Sequence, residues 1–416
     1  MATTPGRLVL ISVLLVVGAV AFGVSATLAE RSRAQAAQAV RTQTEPLLVQ
    51  AVKLYTALSD ANATATTTFL TGGLEPPALR ARYRGDLRLA SDALAGLTRE
   101  VGSSPAARAA VVAIGEQLPA YSGLVEAARA NNRQGFPVGA AYLRKASTVL
   151  TGTVLAEADR LYEIEADRLS GDYATGTASA SLIALVALVV VALAMLAVAQ
   201  LYLARISRRI LNLPMLGATV ILAGVSIWAV VGLAGEQAAL LRAQRRGSDP
   251  VELLSATRVL LSRAQSDESL TLVNRGSDET DPLDFAHVMR LLAPPAGLIG
   301  QVQMLGRRTG TGLDAPELAR DFAAYRSQTD RISALEGSAG IGDAVRLATS
   351  ADSNATAQRL GADLTRQIGA AQRRFASAAA DATASLAGLS IALPALTVLA
   401  AGLALVGIRQ RLSEYR

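Results

Sequence analysis

The chain has 416 residues, 51% of them hydrophobic and only 4% aromatic, with a formal net charge of +6. It has no cysteine and a single histidine, His287, which excludes disulfides, thiolate metal sites and any centre built on a histidine pair. Packing alone has to hold it together.

Apolar residues gather in four stretches, 8–28, 180–204, 213–235 and 386–408, none of which contains Asp, Glu, Lys, Arg or His. Each is long enough to cross about 30 Å of hydrocarbon as a helix, so four transmembrane helices are expected. The first is followed by Ser25-Ala26-Thr27-Leu28-Ala29, which has the small-residue character of a signal cleavage site. Its apolar run is long for a signal and helical sequence continues out of it, so it reads as an uncleaved anchor.

Residues 30–178 carry 16 basic and 15 acidic groups and residues 236–384 carry 17 and 18, so the two large loops sum to zero. The whole +6 resides in Arg7, Arg205, Arg208, Arg209, Arg409, Arg411 and Arg416, less Glu414. Basic residues beside membrane segments stay inside, whereas large domains cross regardless of charge. The expected order is a cytoplasmic N-terminus (1–7), a membrane helix (8–28), an outer domain (29–179), a membrane helix (180–204), a cytoplasmic turn (205–212), a membrane helix (213–235), a second outer domain (236–385), a membrane helix (386–408) and a cytoplasmic C-terminus (409–416) in a plasma-membrane protein. Arg205, Arg208, Arg209, Arg409 and Arg411 are first topology signals, and they also form candidate contacts for a cytosolic partner or anionic lipid.

Both outer domains read as helical. In the first, Gly and Pro clusters at 72–77, 102–105 and 131–137 leave four helical stretches, and in the second, breaks at 275–282, 306–316 and 337–342 leave four again. Leu47, Ala51, Leu54, Leu58, Ala61 and Ala65 recur at four- and three-residue steps, as do Leu143, Leu150, Val154, Leu161 and Ile164, and Leu360, Leu364, Ile368 and Phe375. The fold class expected is all-α: two tandem antiparallel four-helix bundles outside the membrane. The halves also read as a duplication. At an offset of 203, Leu58, Ser59, Ala61, Thr68 and Gly73 match Leu261, Ser262, Ala264, Thr271 and Gly276, and Ala120-Tyr121 resembles Ala324-Tyr325 at 204.

No catalytic constellation can be assembled. There is no P-loop, nucleophile elbow or HExxH pattern, and Gly306, Gly310 and Gly312 join helices without a preceding strand. The expectation is a non-enzyme with no cofactor, no metal and no nucleic-acid partner. Small residues four apart, such as Ala19 with Gly23 and Ala400 with Ala404, would let membrane helices approach closely. Asn62-Ala63-Thr64 and Asn354-Ala355-Thr356 fit a glycosylation pattern that nothing else supports. The candidate outer contacts are the distal turns, with Glu75, Arg133 and Phe136 in the first domain and Asp278, Glu279 and Asp281 in the second.

The order of membrane helix, four helices and membrane helix resembles the four-helix-bundle sensor domains of bacterial chemoreceptors and sensor kinases, here in two copies on one chain. The stretch Tyr121 to Arg168, with Arg129-Ala130-Asn131-Asn132-Arg133-Gln134-Gly135-Phe136-Pro137 and Ala158-Asp159-Arg160-Leu161-Tyr162, resembles the GlnX membrane proteins of actinobacteria. That resemblance implies a transmembrane signalling adaptor. Its partners would be an extracytoplasmic amino-acid-binding lipoprotein, of the glutamate, aspartate or glutamine kind, and a cytosolic Ser/Thr protein kinase, reached through helix movements. A structural or assembly factor of the cell envelope and a direct small-molecule sensor are the alternatives.

Overall fold

The computed structural model describes residues 4–73, 75–102, 104–177, 179–207, 213–273, 280–310, 313, 315–338, 340–385 and 388–413, with no strand among them. The chain divides into two compact units, one of Met1–Arg41, Ser170–Ala243 and Ser377–Arg416, the other of Thr42–Leu169 and Gln244–Ala376.

The first unit is built on α1 (Thr4–Ala39), α7 (Ser179–Ser207), α8 (Leu213–Ala243) and α15 (Leu389–Ser413). They share one core in which Phe22, Leu196, Met215, Leu222, Leu393 and Ile408 are buried. The opposite faces are also apolar, for Val17, Val198, Ile227 and Val398 stand exposed. Gly23 lets α15 approach, since a Cβ there would meet Thr397 Cγ2 at 3.0 Å. Among the described residues, two helices carry stretches long and apolar enough to cross a membrane, within Leu213–Val273 and Ile391–Gln410. The other two expected spans, 8–28 and 180–204, are helical, but several of their side chains, 8–12 and 180–182 among them, lie outside the described residues.

An ion pair is shut inside this unit. Arg33 Nη1 donates to Glu236 Oε2 at 3.3 Å, with side-chain exposures of 2% and 0%, and the two residues are 203 apart. That separation is the offset at which the two halves match in sequence.

The second unit contains both large loops. Its first half has α2 (Glu45–Leu70), α3 (Pro77–Glu100), α4 (Pro105–Arg133), α5 (Val138–Val149) and α6 (Leu155–Gly176). The turns have clear causes: Gly72 and Gly73 take left-handed φ of +61° and +54°, and Ser104 caps α4 by accepting from Ala107 N at 3.3 Å, with Pro105 behind it. The expected seam closes this half, with Leu47, Leu54, Leu58, Leu143, Leu150 and Leu161 all buried together. The second half has α9 (Asp249–Val273), α10 (Thr280–Leu292), α11 (Leu298–Thr309), α12 (Ala315–Ser338), α13 (Ile341–Ala348) and α14 (Ala351–Ser385) around Leu254, Leu261, Phe322, Leu360 and Leu364. Here the count of four helical stretches needs correcting. Pro294-Pro295 supply no N–H groups and separate α10 from α11, and a turn at 349–350 separates α13 from α14.

The halves are joined along α2 and α9, which pack side by side. Each is preceded by a π-helical turn, Val40–Thr44 and Gln244–Ser248, and each opens with an acid and a proline, Glu45-Pro46 and Asp249-Pro250. A proline cannot bond the carbonyl four residues back and clashes with it, which a widened turn relieves. The second π turn also needs Gly247, where a Cβ would stand 2.5 Å from Phe375 Cβ.

Removing one partner of a buried pair leaves an uncompensated charge and costs about 3–5 kcal/mol. Arg33→Met and Glu236→Met should each lower the thermal midpoint of the detergent-solubilised protein strongly, and the double substitution should lower it by less than the sum. Single variants no worse than an exposed substitution would show that the pair does not hold the helices.

Candidate functional site

Two places gather polar side chains that the fold does not require for its apolar cores. One is the turn region of the first half, where α2 meets α4; the other is the α2–α9 seam.

At the turn, the segments at 72–77 and 131–137 come together as expected. Asn132 Nδ2 donates to the Phe69 carbonyl at 3.0 Å, tying the end of α4 to the end of α2. Glu75 is not free for a partner: Arg129 Nη2 lies 3.0 Å from its Oε1, and the same guanidinium bonds Glu126 at 2.8 Å and stacks 4.2 Å from the Tyr83 ring centroid. Burial pushes the Tyr83 phenol up, with Arg129 opposing it. Arg133 and Phe136 do face solvent, Phe136 with 52% of its surface exposed. In the second half, Asp278 and Glu279 lie outside the described residues, and Asp281 is in α10 with its side chain outside them. On the cytoplasmic candidates, Arg205 and Arg409 are exposed near the C-terminal ends of α7 and α15, while Arg208, Arg209 and the Arg411 side chain lie outside the described residues.

The seam is polar, which the apolar periodicity of α2 does not signal. Asp60 on α2 accepts from Arg258 Nη2 at 2.6 Å and from the Ser262 hydroxyl, both on α9. Arg258 is 8% exposed and needs Gly361, because a Cβ there would fall 1.7 Å from its Nη1. Two residues along, Asn62 Nδ2 donates to Ser266 Oγ at 2.7 Å and to Ser147 Oγ at 3.1 Å, and Thr67 and Ser269 hydroxyls meet at 3.1 Å. Asn62 is therefore a 4%-exposed bridging residue rather than a glycosylation acceptor. The Asp60–Ser262, Asn62–Ser266 and Thr67–Ser269 pairs lie 202 to 204 apart and Asp60–Arg258 lies 198 apart, so α2 and α9 run parallel with matching positions face to face.

Thr64 bonds Asp86 of α3 at 3.4 Å behind this line. Burial, reinforced by the Asp60 charge and opposed by Arg82, Arg258 and the Thr64 bond, pushes the Asp86 carboxyl up to about 7. No three His, Cys, Asp or Glu among the described residues converge on a metal-sized site. What the seam offers is a set of short, exchangeable hydrogen bonds between two parallel helices.

Residues 36–174 match the family model of the actinobacterial sensor domain. The match takes in α2 to α5 and most of α6, and so covers the Glu75–Arg129 turn and the α2 side of the seam. It gives the chain a sensing or signalling character. No curated protein and no solved structure matches it.

The missed residues had one sequence signal: Arg33 and Glu236 occupy positions equivalent by the repeat offset with opposite charge. Asp60 and Arg258 had none, since a polar residue among alternating apolar ones reads as solvent-facing.

Folded Asp86 holds a proton between its ordinary 3.8 and about 7 that the unfolded chain releases. Its contribution to stability is therefore full below about pH 4 and lost as pH rises through 7. Asp86→Asn should flatten the melting temperature across that interval relative to the wild type, measured on the full chain in nanodiscs; parallel pH profiles would show that Asp86 is solvated.

Proposed function

We propose that the chain is a membrane-embedded sensory adaptor, in which helices 8–28, 180–204, 213–235 and 386–408 cross the membrane and both large loops stand outside. The observation that carries this reading is the sensor-domain match at 36–174, begun on the same α1 that holds the first apolar stretch. Exposed Val and Ile on the outward faces of α1, α7, α8 and α15 support four spans, since a helix apolar all round belongs in lipid or in a core. The basic flanks at Arg7, Arg205 and Arg409 support cytoplasmic termini.

In this reading the two halves are diverged copies, as the paired π turns, the offset-203 contacts and the buried Tyr121 and Tyr325 suggest. In this reading the signal passes to a separate cytosolic protein. The GlnX resemblance supplies the partner classes: an amino-acid-binding lipoprotein outside and a Ser/Thr protein kinase inside. Small shifts of α2 against α9 are the proposed currency, because packed interfaces switch between discrete arrangements.

A photo-crosslinking residue placed at Phe136, and another at Arg205, tests this in intact cells. Recovery of a solute-binding protein from the first and a kinase from the second is the expected result. Recovery of cell-wall assembly proteins at both positions would replace the adaptor with an envelope scaffold.

A further inference from the structure

A cleft of about 460 Å³ opens between α9, α10 and α12 in the second half. That is room for a small organic molecule. Its walls are partly apolar, with Phe285 and Met289 from α10 and Ile332 from α12. Its charges are sorted by depth. Arg290, Arg326 and Asp330 are exposed, whereas Glu268 and Glu336 are partly buried, so among the described residues the charges drawn into the cleft are acidic.

Glu268 is the decisive residue. Its Oε1 is closed to solvent and accepts no hydrogen bond. A buried carboxylate without a donor is strongly disfavoured unless something supplies one. Beyond it lies a smaller space of about 60 Å³ lined by Tyr325, itself 4% exposed, whose hydroxyl is likewise buried without a partner. Burial and the Glu336 charge push Glu268 up to about 8, which is the response of an acid lacking its counter-ion.

We propose that this cleft binds a small organic ammonium ion, which directs its N–H donors to Glu268 and Glu336 and lays a short apolar body against Phe285 and Met289. A bare metal ion fits less well, because no three ligating side chains converge among the described residues and the walls are half apolar. An ammonium donates to two carboxylates and still presents carbon to the wall. Because α9 is also the seam helix, occupancy would brace α9, α10 and α12 together. The site does not depend on the adaptor reading.

The test uses the full chain in nanodiscs, with benzylamine as probe and benzyl alcohol as its uncharged counterpart, followed by ligand-observed NMR saturation transfer. Benzylamine should bind saturably, benzyl alcohol at least about tenfold more weakly, and Glu268→Gln should lose about tenfold or more in affinity. Met289→Trp, which fills the cleft but keeps both acids, should also abolish binding, and exposed Glu116→Gln should leave it unchanged. Equal binding of amine and alcohol, full affinity in Glu268→Gln or Met289→Trp, displacement of benzylamine by millimolar calcium, or no saturable binding of benzylamine would overturn the proposal.

Discussion

Asp60 gathers Arg258 and Ser262 across the line where α2 meets α9, and the arrangement of the second unit follows from that contact. A carboxylate and a guanidinium enclosed between two helices are tolerable only with close geometry and their remaining bonding groups engaged. The hydroxyls of Ser262, Ser266 and Ser269 and the amide of Asn62 extend the same requirement along the seam. The result fixes register more firmly than an apolar seam would, because a slip of one helix past the other would strand several buried polar groups at once.

The first unit uses the same device at Arg33 and Glu236. Arg33 and Glu236 stand at positions equivalent by the offset of 203, and identical residues there would set like charges together with no exposure to water. Opposite charges make the two halves complementary rather than interchangeable. A single chain holding both halves can keep such a pair, whereas a symmetric dimer of one half would oppose Arg to Arg.

In the first half Glu75, Glu126 and Tyr83 gather around the Arg129 guanidinium, whereas in the second the acid Glu268 stands beside Tyr325. Tyr121 and Tyr325 are alike in burial, so the difference lies in what surrounds them. Arg129 stands near the first tyrosine and acidic Glu268 near the second. If the halves are copies, they have diverged towards different chemistry in their interiors while keeping a common frame of π turn, proline and long helix.

The helical class, the turns at 72–77, 102–105 and 131–137, and the apolar seam of α2 were legible in the sequence, because helix periodicity and Gly or Pro punctuation are properties of neighbouring residues. Which stretches are apolar enough to be membrane spans was equally legible, since that is a matter of composition. The sequence could not show that α2 is buried on a second, polar face as well as its apolar one. Its second face carries Ser59, Asn62 and Thr66, all 5% exposed or less, which look like solvent-facing residues until α9 is laid against them. Nor could it show that Glu75 is tied to Arg129, that Pro294-Pro295 divides a helix in the second half, or that Glu268 lines a cleft. Those facts depend on which side chains meet across tens to about two hundred residues, and only the packed chain decides that.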